Sequence, residues 1–167
     1  MLRELLATDE RRALEFFFVH LREVCEPSVP TDELLYNASV LAHYAQVSTE
    51  TTEGVPMLPG LGALFDQFVL DANALADPEL METAAAQCLV LAGFFETQMR
   101  RRHVIPWYAE LGAGFFSRAA ARQDSARKAL LLRALARHFE PWRQRHARLS
   151  LALRDLPYLL PNPDADL

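Results

Sequence analysis

Leu89-Val-Leu-Ala-Gly-Phe-Phe-Glu96, then Arg100-Arg-Arg102, then Trp107-Tyr-Ala-Glu-Leu-Gly-Ala-Gly-Phe-Phe116 is the stretch that decides the fold class of this chain. From Leu89 to Ala120 it reads as two helices that pack closely across a short basic link. The apolar run that feeds it, Ala84 to Phe95, is interrupted only by Gln87. As a helix that run spans ~18 Å, short of the ~30 Å hydrocarbon core of a bilayer, so a buried helix of a soluble protein is expected. Gly112 and Gly114 each cost a helix ~1 kcal/mol relative to alanine. Their presence predicts a close backbone approach to another helix, near Gly93.

Working outward, helical periodicity continues in both directions. Thr8-Asp9-Glu10 supplies capping groups and early negative charge for a helix over 9–26, with Leu14, Phe17, Phe18, Leu21, Val24 and Cys25 on one stripe. Pro27 and Pro30 stop it, and Thr31-Asp32-Glu33 starts a second helix to about Val47. That helix carries a main stripe of Leu34, Leu35, Ala38, Leu41, Ala42 and Ala45. A second stripe of Tyr36, Val40, His43 and Val47 suggests a helix sandwiched between neighbours. Gly54, Pro56, Pro59 and Gly60 mark 48–60 as a loop, and a short helix is expected over 61–71. Asp77-Pro78-Glu79 is a helix start, with proline where its missing N–H costs nothing; this fourth helix is expected to run to about Arg101. Pro106 opens a fifth. Asp124-Ser125 caps a sixth to about Phe139, and Glu140-Pro141 is expected to break or kink the chain. Trp142, His146, Leu149, Leu153 and Leu156 form the stripe of a seventh. The tail 157–167 holds three prolines and reads as extended or frayed. No segment alternates as a strand does. The expectation is an all-α bundle of six to seven helices around one central apolar helix, a single domain over 1–156.

The Leu89–Phe95 helix, the arginine-containing link and the Trp107-Tyr108…Gly112…Phe116 helix, with Leu135-Ala136-Arg137-His138-Phe139 beyond them, resemble a family of conserved bacterial proteins of unknown function. In that family the second of these helices carries Tyr-Tyr-x-x-x-Gly-x-x-x-Tyr; here Trp107 and Phe116 stand where tyrosine is usual. The resemblance spans about 60 residues and implies an all-helical fold of this size. It implies no activity.

Composition narrows the function classes. Of 167 residues, 51% are apolar and 23% charged, which describes a globular chain long enough to bury a core without staples. Cys25 and Cys88 sit in apolar helical patterns and read as reduced core thiols. No basic region followed by an apolar one is visible at the N-terminus, so a cytoplasmic location is expected. Charge is divided unevenly. Residues 1–99 hold 4 basic and 16 acidic side chains, residues 100–167 hold 13 and 6, and every basic residue but Lys128 is arginine. Arginine offers a planar donor fork suited to carboxylates and phosphates, although a GC-rich genome produces the same preference.

Catalytic signatures are missing from the sequence. There is no Gly-x-Ser-x-Gly, Walker loop, dinucleotide glycine pattern, His-Glu-x-x-His or paired Cys-x-x-Cys, and no Glu-x-x-His for a helical di-iron site. No cofactor or metal is expected. Glu96 is placed to pair with Arg100, four residues on, and Glu110 with Arg118 or the arginine link. Arg100, Arg101, Arg102, Arg133, Arg137, Arg143 and Arg145 are the candidate partner- or anion-binding residues. His43, Gln87, Trp107, Tyr108 and His146 are the candidates for lining a ligand pocket, the two histidines because each lies on an apolar stripe. The bland alternative for those histidines is a core imidazole bonded to a backbone carbonyl or a tyrosine. The reading favoured is a non-catalytic helical protein acting through protein contacts, as a homodimer or with a partner, because an acidic N-terminal part and an arginine-rich C-terminal part steer association. Nucleic-acid binding through the same arginines, or a small-ligand or metal site between helices, are the alternatives. The acidic pI of about 5.5 disfavours the first of these.

Overall fold

A computed structural model describes residues 10–50, 77–100 and 104–154, and every regular element among them is a helix. In chain order these are α1 (Glu10–Glu23), α2 (Thr31–Glu50), α3 (Pro78–Ala92), α4 (Glu96–Arg100), α5 (Ile105–Ala121), α6 (Ala126–Arg137) and α7 (Phe139–Arg154). The fold class read from periodicity is therefore the observed one. The short helix expected over 61–71 and the tail 157–167 lie outside the described residues. The chain divides into two compact units, one of residues 1–56 with 145–167, the other of 57–144, so that α7 contributes its start to the second and the rest to the first.

In the first unit α1 packs against α2. Ala13, Phe17 and Leu21, at four-residue spacing, are buried, as are Leu34, Ala38, Leu41, Ala42, Tyr44 and Ala45 of α2 and Leu149 and Leu153 of α7. The expected stripe of α1 is narrower in fact, since Leu14 and Phe18 are half-buried. The described part of the second stripe of α2 is not sealed: Tyr36 and Val40 are half-buried and His43 is exposed, and in the main stripe Leu35 is exposed too. α2 also runs on to Glu50, into the stretch expected as loop.

In the second unit the Asp77 carboxylate accepts from the Glu79 N–H at 2.9 Å and Pro78 opens α3. α3 buries Met81, Ala84, Ala85, Cys88, Leu89, Val90 and Ala92. α5 packs along both α3 and α6. A Cβ on Gly112 would stand 2.5 Å from the Phe139 ring and 2.9 Å from the Cβ of Cys88, so this glycine is demanded by packing. Its close neighbours are Cys88 and Phe139 rather than the expected Gly93. Gly114 differs: among the described residues a Cβ there would meet nothing within 4 Å, so close approach to them does not account for it.

The helix expected to run from Pro78 to Arg101, α3, ends at Ala92, nine residues early. The Arg143 guanidinium donates to the Ala92 carbonyl at 3.2 Å, taking the acceptor that the Glu96 N–H would use in a continuous helix. Glu96 N–H turns to Gly93 O at 3.1 Å and Phe95 N–H to Val90 O at 3.1 Å, and α4 starts afresh. A side chain entering the hydrogen-bond ladder is a standard cause of such a break. The expected break at Glu140-Pro141 is displaced to His138. Pro141 is the third residue of α7, where a helix has no acceptor for an N–H and proline costs nothing.

Candidate functional site

α6 is built to face two ways. Its Ser125 cap accepts from the Lys128 N–H at 3.3 Å, and Ala129, Leu132 and Leu135 are buried at helical spacing. Arg127, Leu130, Arg133 and Arg137 recur every three or four residues on the opposite side, and all four are exposed. Leu130 is 64% exposed, the most accessible large apolar side chain among the described residues. It lines an open groove of about 460 Å³ with Ser117, Arg133, Ala136 and Arg137. None of the three arginines has an ion-pair partner among the described residues. Lys128, on the flank, is held by Glu82 at 3.0 Å.

Of the remaining candidate arginines, Arg100, Arg143 and Arg145 are used internally. Arg143, with only 11% of its side chain exposed, reaches Ala92 O, stands 3.3 Å from Glu96 and donates through Nε to Glu140 at 2.9 Å. The hydrogen bond from Arg143 holds the Glu140 carboxyl below the usual carboxylate range, and Glu140 in turn raises the Arg143 guanidinium. Arg145 donates through Nη2 and Nε to Glu26 at 2.9 and 3.2 Å, and Arg148 stands 3.6 Å from the same carboxylate. Glu26 is held low first by its own backbone N–H and next by Arg145. Arg100 pairs with Glu96, as the four-residue spacing predicts. Arg101 and Arg102 lie outside the described residues. The expected pairing of Glu110 with Arg118 does not occur, because eight residues separate them by ~12 Å along one helix.

The pocket candidates are dispersed. In the first unit His43 is exposed while His146 is sealed, so the two do not converge. His146 Nε2–H donates to Asn37 Oδ1 at 2.8 Å, and the Asn37 amide donates to Glu33 O at 2.8 Å. That leaves His146 Nδ1 as a buried acceptor with no partner among the described residues. Burial drives the imidazole down to about 3, so it is neutral. The partner is a side-chain amide, not the carbonyl or tyrosine expected. In the second unit Trp107 is 54% exposed and meets the Tyr108 ring edge-on, centroids 4.9 Å apart. Gln87 buries its carbonyl oxygen without a partner among the described residues. Among those residues no group of three His, Cys, Asp or Glu side chains is placed to hold a metal, and no helix is long and apolar enough to cross a membrane.

Sequence reading missed Asn37, Glu26 and Leu130. Asn37 was detectable as an amide within the Leu34–Leu41 apolar stripe. Leu130 was detectable as a leucine off the Ala129–Leu132–Leu135 stripe. Glu26 had no local signal, since its partner is 119 residues away. Comparison with protein-family models, with curated proteins and with solved structures finds no match to this chain.

Proposed function

We propose that this chain is a non-catalytic helical protein that works through contacts with other proteins, copies of itself included, and that the outer face of α6 receives an acidic segment of a partner. The observation that carries this reading is Leu130, exposed in the middle of a stripe of three arginines that have no counter-ion among the described residues. Interfaces put an apolar anchor at the centre and charge at the rim. A helix bearing leucine flanked by glutamates fits that pattern, and opposite charge speeds and orients the encounter. A phosphate backbone would use the arginines and leave Leu130 wet, which is why protein is favoured over nucleic acid.

Fluorescence anisotropy with a labelled Glu/Leu amphipathic peptide tests the reading. Arg133→Ser with Arg137→Ser should weaken binding about tenfold or more, and Leu130→Ser by a similar factor. Binding that ignores Leu130 but vanishes with the arginines, together with retention on heparin at about 100 mM salt, would transfer the surface to nucleic acid. Peptide binding unchanged in all variants would end the proposal.

A further inference from the structure

The outer face of α5 is a second surface, and its charges are arranged for self-recognition. Trp107, Glu110, Leu111, Gly114, Phe115 and Arg118 line a shallow groove of about 370 Å³. Gly114 lies at its middle and faces open space, so no contact among the described residues demands a glycine there. Glu110 stands four residues before it and Arg118 four after. Both are exposed and neither has an ion-pair partner among the described residues. They cannot reach each other along one helix, yet a two-fold axis through Gly114 brings each opposite the other.

We propose that two copies of this chain associate through this face, with α5 crossing α5 antiparallel at Gly114 and Glu110 of each copy against Arg118 of the other. The inference rests on the reading of the protein as one that acts through protein contacts, and it names the surface and the partner for self-association. A two-fold contact is self-complementary, residue by residue. Counting outward from Gly114, Glu110 meets Arg118, Trp107 meets Ala121 and Leu111 meets Ser117. The large, half-exposed indole thus falls on a small side chain, and the absent Cβ at the crossing lets the helices approach closely. A single helix crossing lies at the small end of specific interfaces, below ~1,200 Å², so the dimer forms and dissociates with concentration.

Sedimentation velocity of the full chain, over about 1 to 100 µM, reads the association. The wild type should shift from monomer to dimer, and collisional quenching of Trp107 should fall over the same range. Glu110→Arg or Arg118→Glu should weaken the dimer about tenfold or more, and the two together should restore it, because the exchanged charges face each other again. Gly114→Leu should abolish the dimer while circular dichroism and thermal unfolding show the fold intact, since the added side chain enters open space. A wild type that stays monomeric to about 100 µM overturns the inference, and so does a dimer whose double variant is no better than either single one. Peptide binding lost in Arg133→Ser/Arg137→Ser alongside such a monomer would leave the protein-contact reading standing and remove this surface alone.

Discussion

Arg133 and Arg137 on α6 and Arg143 and Arg145 on α7 fall within thirteen residues of each other, yet they live in opposite circumstances. The α6 pair is exposed and has no counter-ion among the described residues. Arg143 caps the carbonyl end of α3 and joins two glutamates, and Arg145 is clamped by Glu26. A count of arginines treats the four alike. What separates them is whether a carboxylate or an orphan carbonyl is brought within reach. The glycines of α5 divide the same way: Gly112 is packed against Phe139 and Cys88, and Gly114, two residues on and so on the other side of the helix, is open. Groups satisfied within the chain are available for stability, and groups left over are available for recognition.

That contrast can be broken by substitution. Arg143→Ala should have the largest effect, about 2–4 kcal/mol of lost stability, because it orphans the Ala92 carbonyl and leaves Glu96 and Glu140 without their shared cation. Chemical denaturation measures it, and a loss below ~0.5 kcal/mol would show that α3 ends at Gly93 without help from Arg143. Gly112→Ala should cost about 1–3 kcal/mol through collision with Phe139 and Cys88. Gly114→Ala, in contrast, should gain up to ~1 kcal/mol by removing a glycine from a helix. Equal effects at the two positions would erase the distinction between them.

Titration reads the contribution of the sealed histidine. His146 is neutral in the folded protein down to about 3, whereas in the unfolded chain it takes a proton near 6.5. Between those values the unfolded state binds more protons, so stability falls as pH falls below 6.5, by up to ~1.4 kcal/mol per unit. Denaturation curves from pH 7.5 to 4.5 should show that slope, and His146→Gln should flatten it. The smallest effect is expected of Arg133→Ser/Arg137→Ser, within about 0.5 kcal/mol of wild-type stability. A larger loss would mean that these arginines support the fold after all.

Local chemistry was readable in advance. The four-residue repeat of Ala13, Phe17 and Leu21, the Asp77-Pro78 start and the Ser125 cap depend on neighbours a turn away, and each appears where spacing predicts. The Glu96–Arg100 pair is of the same kind. The α3–α4 break was not readable, because Gly93 alone does not end a helix; Arg143, fifty-one residues from Ala92, does. The same distance in sequence hid the Asn37 partner of His146 and the Glu26 partner of Arg145, and so hid which arginines remain free. Periodicity marks which face of a helix is apolar. It does not say which charged side chain finds a partner from another part of the chain.

The two thiols carry a practical consequence. Cys88 is fully buried in the second unit, and burial lifts its thiol to about 12, so almost no thiolate exists at neutral pH. Cys25 belongs to the first unit and is half-exposed. An alkylating reagent applied to the native protein should therefore modify Cys25 first, although partial burial raises that thiol as well, and reach Cys88 only in molecules whose second unit has opened. Cys25 then sets the reference rate and Cys88 times the opening of the second unit, without any engineered label.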